Sequence, residues 1–507
     1  MRRKRSISRL ALPGLLLLAL LLALSPPVSA AQSGAAEDGR ASSNPRESAI
    51  SLTPPRGPAG SVTTVRGSGF DPNATLDILW QDWNGAWNIQ NGSFQGREFR
   101  EELTSIGRVR TDASGGFETT FKVPEGFGFN HDVLVTQGST VRSKSVFFVE
   151  MQVEMTPKEG PPGTPVTLEL NGLGWQPHQR DWVLLYDNKF TGWISAVTTK
   201  GKARAVVTAT GEPGKHILRI FESSYFPSLS MQQPAETVPP SWTFDFMVTR
   251  GQPVLPPPAE QQGPRPISGK APADPKGPTI WLDPASGSVG SEVTAYGRGL
   301  PPNAEVDLQW LTELGPDPVV AGGVRSRASF PVGAGKTAGD GSLRWTFRVP
   351  EDVGRSHPVV LRRGDQALAR AEFKVRPKAN PMVPSSGPVG TTITINLKGV
   401  DDTDTGKIFI IVYDNAWVGY ACSVTSQGDI TIYLQAAGEP GWHFIDLYPG
   451  MYEPIREEGA FDYNIYKGGG EEFYLFRIPQ LTYAEDHPGE KDIPAFRFAF
   501  LVTDERN

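Results

Sequence analysis

The sequence predicts an all-β protein of four tandem β-sandwich domains, in which a two-domain unit, A-B, occurs twice. Three observations carry this. Glycine and proline are abundant, 55 and 46 of 507 residues, against roughly 12% for the two in average proteins. Apolar residues recur with period two, not with the helical 3.6. Long stretches of the chain also align on one another without gaps.

The repeats fix the order. Pro54 to Trp80 aligns on Pro284 to Trp310, sharing Gly57/Gly287, Gly60/Gly290, Asp77/Asp307 and Trp80/Trp310. "FETTFKVPE" answers "LRWTFRVPE" further on. This is type A. Pro157 to Tyr225 aligns on Pro384 to Tyr452, with Tyr186-Asp187-Asn188 matching Tyr413-Asp414-Asn415 and Gly-Glu-Pro-Gly-x-His recurring at Gly211 to His216 and Gly438 to His443. This is type B. Within the repeats, Val166, Leu168 and Leu170 alternate with polar residues, as do Ile393, Ile395 and Leu397. Such alternation buries one face of a strand and wets the other. Runs such as "KIFIIVYDN" end in Gly, Pro, Asn and Asp clusters, the turn chemistry between short strands.

"PPRGPAGSVTTVRGSGFDPNA" and "PASGSVGSEVTAYGRGLPPNA" resemble the N-terminal signature of IPT/TIG-type immunoglobulin-like domains. Type B resembles it more loosely. Gly172-Leu173-Gly174-Trp175 has Trp where Phe is usual, and Gly399-Val400-Asp401-Asp402 loses the second glycine. The resemblance implies immunoglobulin-like sandwiches used for binding, adhesion or spacing, without shared catalytic residues. Close glycines would let the first strands cross between sheets.

The resulting partition is a signal peptide at 1–30, a disordered segment at 31–48, domain A1 at 49–150, B1 at 151–250, a Pro-rich linker at 251–277, A2 at 278–377 and B2 at 378–507. Arg2, Arg3, Lys4, Arg5 and Arg9 precede the apolar run Leu10 to Leu24, and Val28-Ser29-Ala30 offers small residues for cleavage. The run is short for a bilayer span, which wants about 20 apolar residues. A secreted or cell-surface location is expected, with no membrane span after cleavage. Cys422 is the only cysteine, so no intramolecular disulfide can form. Losing the leader's five positive charges takes the formal charge from −6 to −11, which argues against nucleic acid or anionic lipid as partners. The linker holds eight prolines between Gly251 and Gly277 and reads as a stiff spacer between two rigid A-B rods.

Candidate sites follow from composition. Trp83 and Trp87 stand among Asn, Gly and Gln in "WQDWNGAWNIQNGSF" and read either as a ligand-binding loop or as a loop folded back over a sheet face or the neighbouring domain. Asp187, Asn188 and Trp193, with their counterparts Asp414, Asn415 and Tyr420, combine rings with fixed polar groups, as sugar sites do. An Asx-type turn beside a core tyrosine is the competing reading. Asp401, Asp402 and Asp404 are weak calcium candidates, set against a solvated acidic turn, because the twelfth position of an EF-hand counted from Asp401 falls on Val412. His131, His216, His357 and His443 each precede an apolar strand and read as turn anchors. Finally, 27 extra residues lie between Tyr452 and Pro494, with Tyr463 and Tyr466 among seven aromatic rings. That segment is either a binding surface for a cationic or polar partner or a cap on the last domain.

No nucleophile elbow, zinc-protease motif or phosphate loop is present. The expectation is a non-enzymatic structural or adhesive protein without a cofactor, its partner a polysaccharide or surface protein. A carbohydrate-binding accessory protein is the alternative, and an enzyme with an unrecognised site the distant one.

Overall fold

A computed structural model describes residues 48–504, apart from 91–92, 178, 223–226, 228–240, 274–275, 316–323, 424, 451–452, 455–473, 476–480, 482–484 and 490–493. The leader, the N-terminal segment before residue 48, and Tyr463 and Tyr466 lie outside the described residues. Among the described residues no helix is long and apolar enough to cross a membrane.

Four times, a three-stranded sheet accompanies a five-stranded one. In the first domain Val62–Ser68 lies between Ala49–Thr53 and Phe117–Lys122. The large sheet runs Arg56–Pro58, Thr140–Glu150, Phe129–Gln137, Thr75–Gln90, Ser93–Arg110. The third domain repeats both, with Glu305–Leu314 and Ser326–Lys336 as its last pair. In the second and fourth domains the corresponding pairs are Trp182–Tyr186 with Lys189–Ile194, and Ile408–Tyr413 with Ala416–Cys422. The chain is therefore four tandem immunoglobulin-like β-sandwiches in A-B-A-B order.

Each domain begins in the small sheet and then changes sheet. Ala49–Thr53 pairs antiparallel with Val62–Ser68, whereas Arg56–Pro58 pairs parallel with Thr140–Glu150. The turn back needs left-handed backbone: Gly60, Gly163, Gly290 and Gly390 have φ of 83°, 87°, 79° and 86°, which a Cβ disfavours. Alternation then builds the cores. Val166, Leu168 and Leu170 are buried, as are Ile393, Ile395 and Leu397.

Two strands break the alternation. Trp182–Tyr186 is buried on both faces, and Ile408–Tyr413 nearly so. The second and fourth domains pack on each other. Val183, Leu185, Trp193 and Phe221 point away from the second domain's core and cluster with Trp417 of the fourth. Ile408, Ile410, Val412 and Tyr448 join the apolar cluster that holds the second domain's core. Polar bonds fix the register of this contact. Tyr448 Oη donates to Val206 O (2.9 Å), Thr208 Oγ1 donates to Asp446 Oδ2 (2.6 Å), and Arg497, held by Asp446 within the fourth domain (3.0 Å), donates its NH2 to Thr208 Oγ1.

Two rods on a spacer is thus corrected. The linker contains a 3-10 turn at Ala259–Gln261 and is docked on the domains it joins. Val254 N donates to Pro162 O (2.8 Å), and Ala259 is buried against the fourth core. Gln262 brackets Arg497, accepting from its N–H (2.7 Å) and donating to its carbonyl (2.8 Å). The physical reason lies in the domains, whose outward apolar faces would otherwise remain in water.

Candidate functional site

The tryptophan-rich segment is a hairpin arm, not a loop. Thr75–Gln90 and Ser93–Arg110 pair along their whole length, while the neighbouring strand supports only Asp77 to Trp80. The arm lies against the second domain. Trp83, 8% exposed, stacks on Trp175 at 3.9 Å between centroids. Arg97 NH1 donates to Asp181 Oδ1 across the same joint (2.7 Å), with both side chains largely buried. Trp87 Nε1 donates to Asp486 O of the fourth domain's insertion (2.6 Å). Both rings therefore contact this chain's own domains.

The Tyr-Asp-Asn segments are two-residue hairpin turns. Asp187 and Asn188 have φ of 48° and 63°, Asp414 and Asn415 46° and 62°, the paired positive values of a type I′ turn. Each aspartate also ties its turn to the next strand. Asp187 Oδ1 accepts from Ile217 N and Asp414 Oδ1 from Phe444 N, both at 2.9 Å. The fourth domain's turn reaches the second domain. Asn415 Nδ2 donates to Thr208 O (2.7 Å), and Thr191 Oγ1 donates to Asn415 O (2.7 Å). Trp193 is buried edge-on to Trp417. Tyr420, on the strand leaving the turn, is 47% exposed. The neighbouring tyrosines are structural. Tyr413 Oη donates to Ala437 O (2.8 Å), and burial pushes its pKa up to about 12.

The four related histidines stack on Trp80, Tyr186, Trp310 and Tyr413. Both nitrogens of each ring face acceptors: Gln81 O and Phe127 O for His131, Leu311 O and Val353 O for His357. His216 lies between Asp187 Oδ2 and Glu212 O, and His443 between Asp414 Oδ2 and Glu439 O. Each ring is thus enclosed by acceptors of this chain.

The acidic run Asp401 to Asp404 is a joint with the third domain. Asp402 Oδ2 lies 2.5 Å from Arg325 NH1 and 3.3 Å from Arg355 NH1, and Asp404 lies 2.6 Å from Lys407 Nζ. Burial raises the Asp401 carboxyl above its ordinary range. Arg325, Arg355 and Lys407 thus neutralise Asp402 and Asp404. Among the described residues no group of three or more candidate ligands could hold a metal ion.

The insertion is partly described. Leu481 is fully buried, and its N–H donates to Trp193 O (3.1 Å). Asp486 accepts from Val197 N (3.0 Å) and from Thr198 N and Oγ1. His487 is buried against Pro449 O. This part of the insertion binds the first, second and fourth domains together. Covering a neighbouring domain is one of the two readings the sequence offers for this segment, whereas the Arg97–Asp181 pair is missed because it has no local pattern.

No family model and no curated protein sequence matches the chain. Among solved structures it is similar to a Salmonella α2-macroglobulin reacted with methylamine, at 10% identity and TM-score 0.18, covering 88% of this chain and 30% of that one. It thus spans about 30% of that protein's length. The eight N-terminal Ig domains of Down syndrome cell adhesion molecule are 10% identical, with TM-score 0.17 over 77% of this chain and 65% of that chain. A putative membrane-anchored protein from Corynebacterium diphtheriae is 10% identical, with TM-score 0.18 over 64% of this chain and 91% of that chain.

Proposed function

We propose that this protein is an exported, non-enzymatic scaffold of the cell surface or exterior, holding four immunoglobulin-like domains in one body that binds other molecules by its outward faces and loops. The face-to-face packing of the second and fourth domains carries this reading. It turns a duplicated pair into a closed unit instead of an extended chain. The leader-like first thirty residues support export, and the glycine pattern supports membership of the IPT/TIG group. The engaged nitrogens of the four histidines favour a structural over a catalytic role. A sugar site at Trp83, Trp193 or Asn415 would require opening the joints that bury them.

A cleavable sequence inserted at Gly263 tests the scaffold. After cutting, the two halves should co-elute on size exclusion in physiological salt, held by the buried contact. Separation into two species would overturn the closed body. Isolated envelope material should bind the mature protein saturably and be recovered chemically unchanged; released fragments would overturn the non-enzymatic reading.

A further inference from the structure

We infer that the outward face of the third domain's three-stranded sheet is a binding surface for an acidic polysaccharide, with Arg298 and Arg344 as its anchors. The surface lies apart from the contacts between domains described above and touches the linker only through Arg298, and its fate does not depend on the scaffold reading.

Strand pairing sets Trp281, Tyr296 and Arg344 side by side across the sheet, with Arg298 one step along. The rings of Trp281 and Tyr296 are stacked, 5.4 Å apart and 12° from parallel. Arg298 lies over the indole and Arg344 over the phenol, each guanidinium carbon 5.9 Å from the ring centroid. The result is a row of four flat groups in the order Arg, Trp, Tyr, Arg. Each cation rests against an aromatic face, which orders it before any ligand arrives. Arg298 also donates to Pro272 O of the linker.

This row belongs to one domain only. The same positions of the first domain hold Ser51, Arg66 and Glu118. There Arg66 and Glu118 neutralise each other at 2.9 Å. In the third domain Arg348 is paired with Glu292 at 3.0 Å, but no ion pair among the described residues engages Arg298 or Arg344. Two ordered guanidiniums without carboxylates suit an anionic ligand. The hydroxyls of Thr294 and Thr346, 3.2 Å apart on the same face, suit the hydroxyls of a sugar. The formal net charge of −6 disfavours a densely charged polymer such as nucleic acid. A glycan with widely spaced carboxylates meets both conditions.

The test measures binding of the whole mature protein to hyaluronan, which carries one carboxylate per two sugars, with dextran, polyglutamate and single-stranded DNA as comparison polymers. Hyaluronan should bind, more weakly as salt is raised, dextran should not bind, and the other two should bind at least tenfold more weakly. Arg298→Gln/Arg344→Gln should reduce affinity about 30-fold and Arg344→Gln alone about fivefold, while Arg348→Gln changes it less than twofold. Thermal melting establishes that each variant is folded, and Arg344→Gln, an exposed change, serves if the double variant is not. Absence of hyaluronan binding overturns the inference, as does a double variant that binds like the parent. Equal or tighter binding of polyglutamate or DNA would overturn the choice of a glycan.

Discussion

The joint between the first and second domains and the joint between the third and fourth share one backbone and differ in side-chain chemistry. In the first, Gly128 N donates to Leu173 O (3.0 Å) and Leu173 N to Gly201 O (3.0 Å). In the second, Gly354 N donates to Val400 O (2.9 Å) and Val400 N to Gly428 O (3.1 Å). Around this frame one joint stacks Trp83 on Trp175, while the other pairs Asp402 with Arg325 and Arg355. Trp175 and Asp402 occupy the same place in the repeat. The backbone contact therefore sets the geometry, and either apolar or ionic packing can complete it.

The largest effect is expected where the two joints agree. A Cβ on Gly128 would lie 1.8 Å from Gly172 O, and one on Gly354 2.1 Å from Gly399 O. Backbone cannot yield as a flexible side chain would. Gly128→Ala and Gly354→Ala should each cost about 3 kcal/mol and lower the first unfolding transition by roughly 10 °C. Calorimetry checks this, and a shift in only one of the two variants would break the claim of a shared frame.

A smaller effect should separate the joints. Asp402→Ala leaves the partly buried Arg325 without its carboxylate and Arg355 with only Glu313, 3.5 Å away, at a cost of about 2 kcal/mol once partial exposure is allowed for. Trp175→Ala removes a stacked ring on a half-exposed site, at a similar cost of about 2 kcal/mol. Salt distinguishes them. The Asp402→Ala deficit should shrink as ionic strength rises, while the Trp175→Ala deficit stays constant. Parallel salt dependences would erase the distinction.

The same contrast shows what the sequence could reveal. Period-two strands and repeat offsets follow from pleat geometry and duplication, so the four sandwiches were legible. The joints sit at Trp175 and Asp402, where type B departs from the glycine signature, and departure alone does not say what it contacts. The packing of the second domain on the fourth left a signal in Trp182–Tyr186 and Ile408–Tyr413, continuous apolar strands in a chain that otherwise alternates. A strand buried on both faces needs a second partner. Composition gave the linker's stiffness but not its docking, because single bonds such as those of Gln262 with Arg497 have no period. Trp83 and Trp87 suggested a ligand site because a neighbouring domain and a foreign ligand reward exposed rings in the same way.

The smallest effect concerns His443 and compares the two histidine settings: in type B a carboxylate sits within 2.5 Å of the ring, whereas in type A carbonyls are nearest and the Asp352 carboxylate lies 3.4 Å from His357. Burial lowers the pKa of His443, but the Asp414 hydrogen bond and charge together with the Glu439 carbonyl outweigh it, and the ring titrates above its ordinary value of 6.5. A raised folded-state pKa means that the folded protein holds this proton more tightly than the unfolded chain does. Its contribution to stability is therefore complete below about 6.5 and is lost as pH rises through the higher folded value. Melting of the parent should fall by a few degrees, on the order of 3 °C, across that window. His443→Gln should melt lower than the parent in mild acid and approach it in mild alkali, with a flatter profile between. Asp414→Asn, which keeps the turn but removes the charge, should flatten the profile in the same way. The pH slope is the discriminating readout, since a ring that merely fills space would lower stability equally at every pH; an unchanged slope in both variants would remove the Asp414–His443 pair as its source.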